Sequence, residues 1–584
     1  MKTLHKILAT LLLGAACTGC DLTLIPEDTV TPQTYFQSEV DLRLWTNQFY
    51  TLLDSPDSAS GLNADDMVDK SMGDVISGTR MASDESGWTW TSLRKINYYL
   101  QNSHNCTDEA ARTKYDGVAH FFRAYFYYVK VRRYGDVPWY DTVVGSEEED
   151  LLKKPREDRG VIMDHVMSDL DKAIGMLPRD KDVARVTRWA ALAFKSRAAL
   201  YEGTWRKYRG LPDADKYLQQ AADAAATFIA ESGYTLYKEG AEPYRDLFCG
   251  DDAKQNEVIL ARLYNFEGLN LAHSVQFNIR NAAAGFTRRF MNHYLMADGS
   301  RFTEKAGHET MFYTEETAGR DPRMAQTVLC PGYVAKGESS ATPNDMTSMT
   351  GYEPIKFVST AAHSGASKGT ADWALLRTAE VYLNYAEAKA ELGTLTQDDL
   401  TVSIDKIRER AGMGGLDMEA ANADPDPFLL ACYPNVTKSA NTGVILEIRR
   451  ERTVEMVMEG QRMWDMFRWK EGARLVNEAA PYYGIYFPGP GLYDMDGDGK
   501  DDLELYATQQ TSKPSDGLTV LRIGSDVILS DAAGNRGYVV AWSALKYTWN
   551  EERDYLWPIP ADQRVLTGGL LTQNPGWTDS TNFD

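Results

Sequence analysis

Cysteine is scarce in this chain, which has six among its 584 residues. Two of them, Cys17 and Cys20, are separated by two residues near the N-terminus. The other four are Cys106, Cys249, Cys330 and Cys432. Spacings this wide form no zinc knuckle and specify no disulfide pairs, so the redox state of these four stays open at the level of sequence.

Long apolar runs are also missing, except for one short stretch at residues 7–16. A membrane-spanning helix needs roughly 20 apolar residues, whereas this stretch has about half that length. Its basic start and the small residues after it are typical of an export signal. The segment Thr18-Gly19-Cys20 resembles the end of a bacterial lipobox. We therefore expect residues 1–19 to be a lipoprotein signal peptide and Cys20 to carry lipid, with a plain secretory signal as the alternative.

Basic residues are outnumbered, with 62 Lys and Arg against 84 Asp and Glu and a formal charge of −22. Such an acidic chain argues against nucleic acid as a partner, because phosphates are bound by clusters of Lys and Arg. The 13 Trp and 32 Tyr supply both core and flat surfaces on which a ligand can stack.

Signatures of catalysis are missing as well, since no H-E-x-x-H motif and no phosphate-binding loop occurs. The segment GASKG around Ser367 matches the G-x-S-x-G pattern of hydrolases. That pattern needs a strand before the serine and a histidine after it, but the preceding residues are polar and the last histidine is His363. We expect no enzyme; a surface glycoside hydrolase with an unrecognised carboxylate pair is the alternative.

What is present in abundance is helical periodicity. Apolar residues recur at steps of three and four between Asp108, a predicted N-cap, and Gly135, a predicted stop. Further helices are expected over residues 38–54, 88–104, 160–177, 188–203, 213–233, 373–393, 398–412 and 444–472, the last with a bend at Gly460. Short links and abundant alanine indicate stacked helix pairs of the tetratricopeptide type.

Five stretches resemble the SusD/RagB-like nutrient-binding lipoproteins of Gram-negative outer membranes. They are residues 20–53, HFFRAYFYYVKVRRYGDVPW at 120–139, LLRTAEVYLNYAEAKAELG at 375–393, RRERTVEMVMEGQRMWDMFRW at 449–469 and YLWPIPADQRVLTGGLLTQNPGW at 555–577. The resemblance implies a mainly α fold, a tetratricopeptide-like scaffold of about four helix pairs with loop-rich, small-strand insertions. It also implies a SusC-like, TonB-dependent transporter as partner. Finally, it implies capture of an oligosaccharide without catalysis, with a peptide ligand as the alternative.

Composition divides the chain into six expected regions. They are the signal peptide at 1–19, an N-terminal helical scaffold at 20–239, a loop-rich ligand-binding insertion at 240–370, a C-terminal helical scaffold at 371–475, a loop-rich insertion with an acidic loop at 476–552, and a C-terminal segment packing on the scaffold at 553–584. Ligand choice is expected to lie in the loop-rich insertions, because binding functions concentrate on loops held by a rigid scaffold.

One segment combines aromatic and charged residues near a helix start. Trp88 and Trp90 follow Asp65, Asp66 and Arg80 in the sequence. Flat rings can stack on sugars, while carboxylates and guanidinium groups bind hydroxyls. These five residues are the predicted ligand site; a buried tryptophan pair that packs the helix start is the alternative.

An acidic loop, DMDGDGKDDLE, predicts a metal site. Asp494, Asp496 and Asp498 occupy alternate positions, Gly499 permits a tight turn, and Asp502 could close the loop. Such oxygen ligands suit Ca²⁺. The twelfth position is leucine rather than the usual glutamate, so a full EF-hand is excluded. A solvated acidic turn is the alternative.

Four charged residues at three-residue steps, Glu459, Arg462, Asp465 and Arg468, could be mistaken for an acid–base site. Opposite charges at this spacing are neighbours on a helix and neutralise one another. We expect a structural ion-pair network there rather than catalysis.

Overall fold

A computed structural model describes most of the chain after the predicted signal. The described residues are 35–59, 64–84, 87–145, 147–477, 482–511, 517–531, 533–543, 545–579 and 581. The predicted signal peptide at 1–19 and the predicted lipid-bearing Cys20 lie outside these residues. Within them, no helix combines the length and apolar character that a membrane span requires.

The described chain is mainly helical. Its helices of at least seven residues are α1 (Glu39–Asn47), α2 (Thr91–Asn102), α3 (Glu109–Tyr134), α4 (Arg159–Met176), α5 (Arg188–Lys207), α6 (Ala214–Glu231), α7 (Pro243–Cys249), α8 (Val275–Asn281), α9 (Thr378–Leu392), α10 (Ile404–Arg410), α11 (Thr442–Glu455) and α12 (Arg462–Arg468). Shorter helices are Pro56–Ala59, Asp74–Ser77, Glu149–Leu152, Phe266–Leu269, Arg288–Met291, Tyr313–Glu316, Gln397–Thr401, Met418–Ala423, Pro427–Cys432 and Ala561–Leu566.

Local signals set the bounds of the longest helix. The side chain of Asp108 accepts a hydrogen bond from the N–H of Ala111, as an N-cap should. The helix stops at Gly135, whose φ of 73° lies in the region that favours glycine. Both predicted boundaries of α3 are confirmed.

The helices stack in series. Helices α2 to α6 pack each on the next, α6 then packs on α9, and α9 packs on α10 and α11. Small side chains fill the tightest of these interfaces, between α5 and α6, where the buried alanines include Ala198, Ala199, Ala221 and Ala225. Small residues let helix axes approach closely. The predicted tetratricopeptide-like scaffold is confirmed.

The strands are short and form small sheets. They are β1 (Met67–Val68), β2 (Val258–Arg262), β3 (Gly285–Phe286), β4 (Trp373–Arg377), β5 (Tyr483–Phe487), β6 (Gly491–Tyr493), β7 (Leu503–Tyr506), β8 (Thr519–Arg522) and β9 (Gly537–Val540). The pairs β1–β3, β2–β4, β5–β9 and β6–β7 are antiparallel, and β7–β8 is parallel. One hydrophobic cluster fills the helical stack and a second lies under the strands.

Two predicted helices are interrupted, so those predictions were wrong. Residues 444–472 do not form one bent helix, because Met458 and Gly460 adopt positive φ and separate α11 from α12. The ammonium group of Lys356 donates to the carbonyl of Val457 that this break leaves open, at 2.8 Å. Residues 398–412 likewise divide into a short turn of helix and α10. The four cysteines that the sequence left open are free and buried.

Candidate functional site

An open cavity of about 350 Å³ lies beside the start of α2. Its lining residues are Trp88, Trp90, Thr91, Leu93, Arg94, Asn97, Pro138, Tyr140, Thr142, Val144, Leu152, Lys154, Gln563, Thr567 and Leu571. They come from three parts of the chain: the entry to α2, the segment after α3, and the C-terminal segment. Only the first of these was predicted to contribute to a ligand site.

The two predicted tryptophans meet at this cavity but differ in exposure. Trp88 is only 5% exposed and packs edge-on against Tyr134, with ring centroids 4.8 Å apart. Trp90 is half-buried, and its ring lies nearly perpendicular to that of Tyr140 at 5.6 Å. Trp88 therefore serves the core, whereas Trp90 and Tyr140 present a corner of aromatic surface to the cavity.

A buried lysine holds the loop that carries both tryptophans. The ammonium group of Lys130 donates hydrogen bonds to the carbonyls of Gly87 and Thr89 and lies 5.1 Å from the ring centroid of Trp90. Burial, with Arg133 nearby, lowers the pKa of Lys130 to about 7. Lys130 is one of several charged residues on α3, so no signal in the sequence singled it out.

The wall that carries Tyr140 is fixed by buried amide and phenol groups. The side-chain nitrogen of Asn97 donates to the carbonyls of Tyr140 and Thr142, at 3.0 and 3.1 Å. The N–H of Tyr140 donates to the hydroxyl of Tyr127 at 2.6 Å. Because these donors and acceptors are buried, the segment that carries Tyr140 is held in place before any ligand arrives.

The predicted carboxylates do not join this cavity. Asp65 is buried and accepts two hydrogen bonds from Arg462, at 2.6 and 2.7 Å. Asp66 is also buried, and burial together with the charge of Asp65 raises the pKa of Asp66 to about 7. Arg462 thus pairs with Asp65 rather than with a charged neighbour on its own helix. The predicted pairing within 459–468 was therefore only partly right.

Arg80 lies at yet another place. Its guanidinium group pairs with Asp554 at 3.1 Å and lies 4.9 Å from the ring centroid of Trp557. The predicted five-residue site is thus divided among three locations, and the tryptophans are the members that line the cavity beside α2. A role of Trp88, Trp90, Asp65, Asp66 or Arg80 in ligand binding stays a prediction.

The predicted ion-pair network around 459–468 is present and buried, but most of its pairs join residues of different elements. Of the four residues at three-residue steps, only Asp465 and Arg468 pair with each other, at 2.9 Å. Glu459 instead pairs with Arg377 at 2.7 Å and with Lys356 at 2.6 Å. The break between α11 and α12 removes Glu459 from the helical spacing on which the prediction depended. Arg462 and Asp465 share α12, but they pair instead with Asp65 at 2.6 Å and with Arg452 at 2.8 Å.

The acidic loop between β6 and β7 brings three of its four predicted ligands together. Asp494, Asp496 and Asp502 each place one carboxylate oxygen within 4.8 Å of the others. Asp498 instead pairs with Lys500 at 2.6 Å. Burial and the neighbouring Asp496 and Asp494 raise the pKa of Asp502, which is the pattern that crowded carboxylates produce. A divalent cation would relieve that repulsion.

The serine of the GASKG segment lies on an exposed loop with no catalytic arrangement around it. Ser367 has a positive φ of 54°, and its N–H donates to the hydroxyl of Ser274 at 3.0 Å. His363 is hydrogen-bonded to Ser359 at 2.7 Å instead. The nearest strand, β4, follows this segment rather than leading into it.

Comparison with protein families gives two matches. Residues 274–577 match the profile described as the SusD family, and residues 89–200 match one described as "starch-binding associating with outer membrane". The first match covers just over half of the chain, and the second covers α2 to most of α5.

Curated relatives and solved structures agree with these profiles. One SusD-like protein of Formosa agariphila is 21% identical, over 80% of this chain and 90% of that protein. Another from the same organism is 24% identical, over 81% and 94%. A SusD-like protein of Bacteroides fragilis has the same fold, with a TM-score of 0.68 and 22% identity over 95% of this chain and all of the other. A second structure from that organism, titled a SusD-like carbohydrate binding protein, gives a TM-score of 0.67 and 19% identity over 91% and 99%.

Proposed function

Since the chain belongs to the SusD family, we propose that it captures oligosaccharides at the cavity beside α2 and delivers them to a TonB-dependent, SusC-like transporter of the outer membrane. The observation that carries the binding step is Trp90, a half-buried ring on the wall of an open cavity. An aromatic face of this kind can stack on a sugar ring, with nearby polar groups to bind hydroxyls.

The two comparisons that mention carbohydrate support this proposal. The profile described as starch-binding covers α2 and the segment after α3, which supply two of the three parts that line the cavity, and one structural relative is titled a carbohydrate binding protein. The proposed role is capture without cleavage, so analysis of products after incubation with the bound glycan should find only intact chains. Shortened products would instead favour the surface hydrolase.

The decisive experiment measures glycan affinity and thermal stability in the same variants. An array of oligosaccharides first identifies a bound glycan, and calorimetry then compares the wild type with Trp90→Ala and Trp88→Ala. Trp90→Ala should lose most of the affinity at little cost in melting temperature. Trp88→Ala should lower the melting temperature strongly, because truncating a core tryptophan costs about 3–5 kcal/mol.

The matched control is Trp45→Ala, because Trp45 is also half-buried but stacks on Tyr98 away from the cavity. It should bind the glycan like the wild type. Unchanged affinity in Trp90→Ala would refute the cavity as the site. Binding of peptides, with no oligosaccharide bound, would favour the peptide-binding role.

We also propose Ca²⁺ at the acidic loop. The ligands would be one carboxylate oxygen from each of Asp494, Asp496 and Asp502, which already lie together. Such hard oxygen ligands suit Ca²⁺, whose coordination is flexible and tolerates water in the remaining positions. The role of the ion would be to hold the β6–β7 turn rather than to take part in a reaction.

A further inference from the structure

The cavity of Trp90 differs in charge from the rest of the molecule. Acidic residues outnumber basic ones by 84 to 62 in the chain. Among the described residues that line this cavity, however, none carries a carboxylate, whereas Arg94 and Lys154 are basic. A surface of this sign is unexpected by composition and favours a ligand of negative charge.

A second open cleft provides an internal comparison. It has a volume of about 670 Å³ and lies among the loops that follow α7, β2 and residue 360. Its lining includes three carboxylates, those of Asp251, Asp252 and Glu267, against one lysine, Lys368. The lack of carboxylates in the lining of the Trp90 cavity is therefore not shared by this second cleft.

Of the two basic residues at the cavity, Arg94 is the more available. The ammonium group of Lys154 already pairs with Glu157 at 2.6 Å and donates to the carbonyl of Trp139 at 2.9 Å. Arg94 is exposed, and one of its nitrogens donates to the carbonyl of Val144. A guanidinium group has five N–H donors, so Arg94 retains donors for a ligand oxyanion.

Position on the helix places this charge beside the aromatic surface. Arg94 follows Trp90 by one helical turn, and its N–H donates to the carbonyl of Trp90 at 3.0 Å. Residues four apart are neighbours on a helix surface. A sugar ring stacked on Trp90 would thus have its substituents within reach of a planar fork of donors that matches the geometry of a carboxylate or sulfate.

Acidic residues do occur nearby in the sequence, at Asp141 and at 147–150, but none lines the cavity. Asp141 lies between the lining residues Tyr140 and Thr142 and is exposed. Glu148 accepts a hydrogen bond from the N–H of Gly145 at 2.6 Å, and Glu149 pairs with Lys153 at 3.2 Å. Glu147 and Asp150 are exposed. Because Val144 and Gly145 are adjacent, the carboxylate of Glu148 lies within the screening length of about 10 Å from Arg94 and reduces its attraction for an anion. No ion pair joins Arg94 to any of these carboxylates in the described part of the chain, so its remaining N–H donors stay available to a ligand.

We propose that the cavity selects acidic oligosaccharides, with an oxyanion on the sugar ring bound by Arg94 while the ring stacks on Trp90. This inference rests on the proposed capture of glycans and names their class. The oxyanion is the carboxylate of a uronic acid or a sulfate ester, which share the same recognition chemistry. A neutral glycan would meet the same aromatic corner but would leave Arg94 without a counter-charge.

The test uses two pairs of ligands, and within each pair the negative charge is removed at one functional group of the sugar. Oligogalacturonate is compared with its methyl ester, and a sulfated galactose oligosaccharide with its desulfated form. Calorimetry at low and high salt should show tighter binding of the charged member of at least one pair, with the preference reduced at high salt. The pair that shows it identifies the source of the oxyanion.

Two variants test whether Arg94 causes the preference for the charged ligand. Arg94→Gln should weaken binding of the charged ligand about fivefold, the upper range for an exposed ion pair, and should leave its neutral partner within about twofold. Lys95→Gln removes the same charge from the next residue, which does not line the cavity, and should keep the preference. Melting temperatures of both variants should match the wild type.

Each contrary result has a distinct meaning. Equal binding within both ligand pairs, or a preference that survives Arg94→Gln or disappears equally in Lys95→Gln, would overturn the inference while leaving glycan capture standing. If an array of neutral and acidic oligosaccharides shows no binding at all, the proposed function fails and the inference fails with it.

Discussion

At the scale of single residues, buried ion pairs between helices set how the protein responds to acid. Asp169 on α4 accepts hydrogen bonds from Arg123 on α3, at 2.6 and 2.8 Å, and is paired with His120 at 2.8 Å. Burial alone would raise the pKa of Asp169, but these hydrogen bonds overcome burial and lower its pKa to about 2. The carboxylate therefore stabilises the contact between α3 and α4 wherever it is ionised.

This pair gives a prediction with a defined sign. The pKa of an aspartate in the unfolded chain is about 3.9, so the stability from Asp169 is fully present above about pH 4 and is lost as the pH falls towards 2. A shift of this size corresponds to about 2.5 kcal/mol. In urea unfolding followed by circular dichroism, Asp169→Asn should be destabilised at pH 7 and should lose less stability than the wild type between pH 4 and pH 2.

The control for this prediction is Asp171→Asn on the same helix. Asp171 is exposed and pairs with Lys195, and exposed pairs contribute at most about 1 kcal/mol. An equal loss of stability at pH 7 in both variants would contradict the role assigned to Asp169.

At the scale of elements, the β6–β7 turn depends on a loop in which like charges are crowded. Asp494 accepts hydrogen bonds from the N–H groups of Gly497 and Gly499, at 2.6 and 2.8 Å, and Asp502 accepts one from Met495 at 2.8 Å. These bonds shape the loop and leave oxygens of the cluster for a cation. Gly497 and Gly499 both adopt positive φ, which lets the chain turn within a few residues.

If Ca²⁺ binds this loop, it stabilises the folded protein by mass action. An ion present at 100 times its dissociation constant adds about 2.7 kcal/mol. A chelator should therefore lower the melting temperature of the wild type, whereas Asp496→Asn should start lower and respond little. Differential scanning fluorimetry with and without added Ca²⁺ measures both.

The structure supplies a matched control for the loop. Asp498→Asn changes the same residue type two positions away, but Asp498 pairs with Lys500 rather than with the cluster. It should respond to the chelator as the wild type does. Identical responses from all three proteins would reject the metal site.

At the scale of the whole molecule, the end of the chain returns to the N-terminal helices and helps to build the cavity. Asn574 donates to the carbonyl of Tyr134 at the end of α3, at 2.9 Å, and accepts from Arg156 at 2.7 Å. Leu571 lines the cavity together with Trp90. The cavity is therefore built jointly by the N-terminal helices and the C-terminal segment rather than by a loop appended to helices.

The proposed location of the protein at the outer membrane predicts how it is anchored and which protein it binds. Cys20→Ala should release the protein into the soluble fraction, because the lipid anchor would be lost. Pull-down of the wild type through a C-terminal tag in mild detergent should recover a TonB-dependent barrel. Cell fractionation and mass spectrometry measure the two outcomes. Unchanged membrane partition of Cys20→Ala, or repeated recovery of the protein alone from cells that express the barrel, would count against the proposal.

Much of the scaffold was determined by the sequence itself, since its signals are local. Asp108 and Gly135 mark the ends of α3 because a cap and a stop act within one helical turn. The acidic loop was recognisable for the same reason, because its ligands are close neighbours along the chain. The family was evident from motifs such as RRERTVEMVMEGQRMWDMFRW, which need no tertiary information to be read.

Only the tertiary structure decided which residues border the cavity and which serve the core. Trp88 and Trp90 are two residues apart, yet the packing of Tyr134 and Tyr140 against them makes one a core residue and the other a cavity wall. Arg80 pairs with Asp554, 474 residues away in the sequence. Exposure and ion pairing depend on contacts between residues that are far apart in the sequence. Local periodicity and spacing do not specify such contacts.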